Sequence, residues 1–185
     1  LDAAAERFRA LGAAVEPVSL GWDHRALDAA IDHLTHIFGA SLAPLLRDHA
    51  DRLTPYARAF AEAGAAATPD RLLSAMATAA EAYAAFSRAM DGFDLLICPT
   101  IAAPAPPADF DPTRDRLAID GVEVHPMLGW TMTAPFNMLS RCPALSVPMG
   151  ATAEGAPLGL QIVGRPYRDL DVFAAGAAFE GLNAG

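Results

Sequence analysis

The chain has 185 residues, 22 of them acidic and 13 basic, for a formal net charge of −9; with its arginines scattered, it is not expected to grip the phosphate backbone of a nucleic acid. At this length about 70% of the unfolded surface can be buried, and no apolar run approaches the roughly 20 residues of a membrane span, so no membrane partner is expected. Cys98 and Cys142 are the only cysteines and form no Cys-x-x-Cys pair, which predicts reduced, buried thiols, a cytoplasmic location and neither a metal site nor a cofactor.

Residues 2–11 place Ala4, Ala5, Phe8 and Leu11 at helical spacing, with Gly12 as the stop. Residues 15–20 read as a short strand. Asp23 is placed to cap a helix running toward Phe38, with Leu27, Ile31, Leu34 and Phe38 on its inner face, and Pro44 is expected to interrupt the chain beyond it. Thr54-Pro55 and Thr68-Pro69 repeat one start signal, a hydroxyl acceptor followed by a proline at the first helical position. The first of these helices ends near Gly64. The second runs to Met90 with Leu72, Leu73, Met76, Ala80, Tyr83 and Phe86 as its buried stripe and Gly92 beyond it.

An apolar run ending at Pro99-Thr100 reads as a strand, and the prolines of 99–112 predict an irregular loop. Ile119-Asp120-Gly121-Val122 carries a hairpin signature, and 125–138 predicts a helix broken near Pro135. The apolar runs 144–149 and 158–163 flank a loop containing Gly150, Gly155 and Pro157, which predicts a second hairpin. Neither run alternates with polar residues, so both faces must be covered. The fold class expected is therefore α/β, a mixed sheet with helices on both faces. Asp169 is expected to cap a last helix through Val172, Phe173 and Phe179 to Glu180. The chain reads as a single domain over 1–185, helix-rich to 92 and built of strands, loop and hairpin beyond it. Opening on a leucine inside a helical pattern, it also reads as a segment of something longer.

Three ordered motifs give a more specific reading: Phe93-Asp94-Leu-Leu-Ile-Cys-Pro99-Thr100; Asn137 followed by Pro143-Ala-Leu-Ser-Val-Pro-x-Gly150; and Pro157-x-Gly-x-Gln161-Ile-x-Gly164. Together, over residues 70–180, they resemble the C-terminal part of the amidase signature hydrolases. One departure is Arg141, where relatives usually carry glycine, so the turn there must be built in another way. The resemblance implies an amide hydrolase with a serine nucleophile, a second serine in a cis peptide and a lysine base. Burial can deprotonate a lysine near neutral pH but hardly an arginine. None of the 13 basic residues is a lysine, and the Gly- and Ser-rich segment that carries the family's serines is missing from the sequence. No catalytic residue can therefore be assigned here. The expected partners are a small-molecule amide and an N-terminal catalytic part lying upstream.

What the resemblance leaves to this chain is lining and support. Thr100, Thr133, Asn137 and Gln161 are the positions expected to contact substrate or brace the catalytic loops; alternatively, Asn137 and Gln161 bond backbone and hold the hairpin. Residues 40–90 are expected to shape the pocket entrance, with Trp22, Met76, Tyr83 and Trp130 lining it or serving as core. Other chemistry is thinner. No serine lies in a Gly-x-Ser-x-Gly elbow, and a Cys98 nucleophile with His125 as base is the remaining covalent alternative. His33 and His36 with Asp28 or Asp32 could ligate a metal but read more simply as a solvated helix face. Arg7, Arg9, Arg165 and Arg168 read as surface charges. The competing function is a non-catalytic scaffold or binding module that pairs through exposed strand edges with another chain or with a second copy as a homo-oligomer.

Overall fold

Capping decides where the helices of this computed structural model begin, and it describes residues 1–181. Helix α1 (Asp2–Ala10) stops before Gly12, whose φ of 90° turns the chain away. Residues 15–20 are not a strand. Val15 instead packs into the core beside α1 while its carbonyl accepts from Arg9 Nη2 at 2.8 Å. A strand needs a ladder partner, and β-propensity alone does not supply one.

Helix α2 (His24–Leu34) starts at Asp23, whose carboxylate accepts from the Arg25 N–H at 2.9 Å. It passes without a break into a π-helical turn (Thr35–Gly39) and helix α3 (Ala40–Asp48). Pro44 therefore lies inside a helix rather than ending one. It stands just past the change from π to α bonding, where its missing donor leaves a single carbonyl without its usual bond. Helices α4 (Pro55–Ala65) and α5 (Pro69–Ala89) start as the Thr-Pro signals predict, Thr54 accepting from Ala57 N and Thr68 from Arg71 N.

The buried faces differ from the predicted stripes. On α2 the buried residues are Ala26, Ala29 and Ala30, while Phe38 is 56% exposed. On α5 they are Ala75, Ala82 and Phe86, with Leu73 62% and Met76 55% exposed and Ala80 also outside. Apolar size does not mark the inner face, since Ala29 and Ala30 of α2 share one core cluster with Ala75, Ala82 and Phe86 of α5. Small alanine side chains let the backbones of α2 and α5 come close there.

Strands β1 (Leu95–Pro99), β4 (Ala144–Ala151) and β5 (Pro157–Gly164) form a sheet in the order β1-β5-β4, both ladders antiparallel. Side chains of β5 alternate between two cores. Leu160 and Ile162 join Leu95, Ile97, Leu145 and Val147 under α1 and the last helix, α7 (Asp169–Gly181). There Phe8 stacks on Phe179 with ring centroids 5.2 Å apart. On the opposite face Val163 joins Leu96 and Cys98 under α2, α5 and the short helix α6 (Ala134–Leu139), where Phe136 meets Trp22 and Phe86. Helices on both faces are what the unalternating strands require. Strands β2 (Leu117–Ile119) and β3 (Val122–Val124) form the small predicted hairpin, with Asp120 and Gly121 both at positive φ. Of residues 125–138 only the end is helical, beginning in the turn that holds Pro135.

Arg165 is not a plain surface charge. Its Nε donates to the Phe93 carbonyl at 2.8 Å and its Nη2 to that of Met90 at 2.5 Å, fastening the end of β5 to the C-terminus of α5. Replacing it with alanine is expected to cost about 2 kcal/mol, since charged donors to backbone carbonyls are worth more than neutral ones. Lysine should recover only part of that, lacking the fork that spans two acceptors. Equilibrium denaturant unfolding of the two variants measures both values.

Candidate functional site

One face of the sheet carries a strip of polar groups where apolar ones would be expected. Gln161 on β5 lies directly opposite Cys98 on β1 and Ser146 on β4, so all three share a face, and Thr100 and Gly159 continue it by one pleat. The Thr100 N–H and Oγ1 both donate to the Gly159 carbonyl, at 2.9 and 3.2 Å. Gly159 is required there: a Cβ would stand 2.7 Å from Thr100 Oγ1 and 3.2 Å from Ser146 Oγ. At β4 this face is open, with Ala144, Ser146 and Pro148 exposed.

Beyond Thr100 the chain pairs with the approach to α6. The Ala102 N–H donates to the Trp130 carbonyl at 2.8 Å and Met132 N–H to that of Thr100 at 2.9 Å, around an isolated bridge between Ile101 and Thr131. This short ladder sets the backbone just before Thr133 beside the end of β1. Thr133 precedes α6, its carbonyl accepting from Asn137 N at 3.0 Å. Asn137 is exposed although Ala134, Phe136, Met138 and Leu139 around it are buried, so its amide faces away from the core. Gln161 is the reverse case: 3% exposed, its Nε2 donates to Cys98 Sγ at 3.2 Å and, at a long 3.5 Å, to the Met132 carbonyl. The structure thus brings Thr100, Thr133 and Gln161 around one loop and leaves Asn137 on its outer side.

The proposed thiol chemistry does not assemble. Cys98 is bonded by Gln161 rather than by His125, and burial pushes its thiol up from 9.0, away from the thiolate a nucleophile needs. His125 Nδ1 is buried without a hydrogen-bond partner; burial lowers the ring's affinity for a proton, opposed by the charge of Asp28. His36, in the π turn that follows α2, is differently employed. His36 sets its two ring nitrogens 2.8 Å from the Asp32 carbonyl and 2.7 Å from that of Thr68, and Asp32 pairs with Arg71. No group of three metal-ligating side chains occurs among the described residues.

Of the residues expected near a pocket entrance, Trp22 is core, donating to the Ala82 carbonyl at 3.0 Å, and Tyr83 is half-buried beneath Arg141. A shallow cleft beside Trp22, Asp23, Arg25 and Glu81 shares no residue with the polar strip. The turn that Arg141 puts in question is solved one residue earlier. Ser140 takes the left-handed conformation, φ 49°, at the end of α6. Ser140→Gly should therefore raise stability by up to about 1 kcal/mol, read as a higher midpoint of thermal unfolding. Gly159 was legible too, since a lone glycine within an apolar strand marks close approach; the Trp130–Met132 backbone carried no such signal.

The comparisons agree with this architecture. Residues 3–173 match the Amidase family, further toward the N-terminus than the motifs alone reach, and the chain belongs to that family. It is 40% identical over 95 residues to an acylamidase of Rhodococcus erythropolis, the match covering 50% of this chain and 19% of that protein. It is 38% identical over 95 residues to a glutamyl-tRNA(Gln) amidotransferase subunit from Gluconobacter oxydans (strain 621H), covering 51% of this chain and 17% of that one. Among solved structures, a bacterial aryl acylamidase of the amidase signature family superposes over 96% of this chain with a TM-score of 0.79 and 30% identity. The chain spans 38% of that protein's length and has the architecture of its C-terminal part. No helix among the described residues is long and apolar enough to cross a membrane.

Proposed function

We propose that this chain forms one structural unit that serves as the C-terminal portion of a cytoplasmic, serine-dependent amide hydrolase, lining the pocket for a small amide and bracing the catalytic loops. The nucleophile and the lysine base belong to the N-terminal catalytic part with which it pairs. Acyl transfer then proceeds through an acyl-enzyme that water resolves. Thr133 and Asn137 are the contacts offered to substrate, Thr100 and Gln161 the braces, and neither cofactor nor metal is called for. The observation that carries this reading is that the three sequence motifs supply three neighbouring strands whose shared polar face is open at β4.

The test has two arms. The purified 185-residue chain is expected to show no amide turnover, and turnover that responds to a serine-directed inhibitor would overturn the division of labour. In the complete enzyme, Asn137→Ala is expected to raise KM about tenfold with stability changed by less than about 0.5 kcal/mol, as suits an exposed side chain. An unchanged KM would remove Asn137 from the pocket.

A second reading has one observation in its favour: β1 and β4 each pair on one side only among the described residues. Such edges suit a scaffold that adds another chain's strand, or a second copy's. Sedimentation of the purified chain at rising concentration separates self-association from a dependence on the catalytic part.

A further inference from the structure

We infer that Gln161 is a positioning residue: its side-chain amide joins the centre of the sheet to the Met132 carbonyl and so sets where Thr133 and Asn137 stand relative to β1. This rests on the reading above that those two residues line an amide pocket.

Chemistry leaves this side chain few other uses. A glutamine in the middle of an apolar strand loses its hydration, and a buried N–H without an acceptor is destabilising. At 3% exposure Gln161 has no surface on which to meet a substrate directly. The two hydrogens on its Nε2 have two acceptors, Cys98 Sγ on the adjacent strand and the Met132 carbonyl on the loop. The sulfur is fixed by the β1–β5 ladder, in which Cys98 and Gln161 are directly opposed. One hydrogen therefore orients the amide and the other reaches the loop. Met132 also donates its own N–H, in the preceding peptide, to the Thr100 carbonyl, so this residue is held from both sides, by the end of β1 and by the middle of β5. The next residue is Thr133, and Asn137 follows one helical turn later. An apolar side chain of similar shape at position 161 would fill the same space yet release the loop.

Gln161→Met keeps the volume and the flexibility and removes both donors. Hydrogen–deuterium exchange of the peptide spanning 130–139 is expected to accelerate about tenfold in this variant, the loss of one hydrogen bond, while β4 and β5 exchange as in the wild type. Exchange unchanged within a factor of two would overturn the inference, because a packing role survives the substitution. In the complete enzyme the variant should raise KM with kcat altered less. Faster exchange in a complete enzyme that turns over no amide upholds the positioning and removes the amidase reading. Normal exchange with an unaltered KM does the opposite. Should Gln161→Met fail to fold, the wild type still decides: NMR is expected to resolve two slowly exchanging Gln161 Nε2 protons, with cross-peaks to Cys98 and Met132. Rapidly exchanging, averaged protons would refute it.

Discussion

Gly64→Ala is expected to destabilise the protein by about 3 kcal/mol or more, reversing the sign that helix propensity alone would give. In an open helix this change gains about 1 kcal/mol. Here α4 crosses the π turn at backbone contact, and an alanine Cβ at position 64 would fall on the Gly39 carbonyl carbon and the Ala40 nitrogen. Gly39 is close too, though less so, a Cβ there meeting Phe60 O at 2.7 Å and Gly64 Cα at 3.0 Å. Neither neighbour is a flexible side chain that could swing aside, so the helices must part, and overpacking of that kind costs a few kcal/mol. The damage should be local. Helices α3 and α4 pack mainly on each other and on the π turn, so proteolysis is expected to open 40–65 while the sheet stays protected. A variant as stable as the wild type would mean that the two glycines do not meet.

The second large effect lies on the opposite side of the sheet. Phe179→Ala is expected to cost about 3 to 5 kcal/mol, the range for a fully buried aromatic truncated without collapse of the cavity. Phe179 is 0% exposed, stacks on Phe8, and has the Arg7 guanidinium 4.3 Å from its ring centre. It is the piece through which the first and last helices share a core with Leu160 and Ile162. Phe179→Leu should recover most of the loss. Urea unfolding of both variants gives the values, and a cost below about 1 kcal/mol for alanine would show that α1 and α7 do not form one core.

How much of this was readable beforehand depended on whether the signal was local. Asp23, Thr54-Pro55, Thr68-Pro69 and Asp120-Gly121 act within three residues of themselves, and each does in the structure what its chemistry says. The 144–163 hairpin was equally plain as a pairing, because turn residues separate two apolar runs; its register, which shifts between Pro148 and Gly150, was not. Residues 15–20 failed the same test: a β-like sequence with no partner strand beside it. The inner faces of α2 and α5 were not legible from side-chain size, since Ala29, Ala30, Ala75 and Ala82 are buried in one cluster while Leu73 and Met76 stay outside. Arg165 and the Met132 carbonyl depend on contacts between distant segments, which no spacing rule reaches. Of the four polar positions expected at the candidate site, Thr100, Asn137 and Gln161 lie in the motifs and Thr133 stands four residues before Asn137. The exposure of Asn137 could not be read in advance, because it follows from how α6 packs Phe136 against Phe86 and Trp22.

The order β1-β5-β4 carries a consequence for biosynthesis. The strand that both ladders share emerges from the ribosome last of the three, so at ordinary elongation rates β1 waits on the order of several seconds for its partner. During that wait Leu95, Leu96 and Ile97 are an unpaired apolar segment open to wrong neighbours or to a chaperone. The prolines that come after it at 99, 104, 106 and 107 cannot extend a ladder, and so limit how far any mispaired strand could grow.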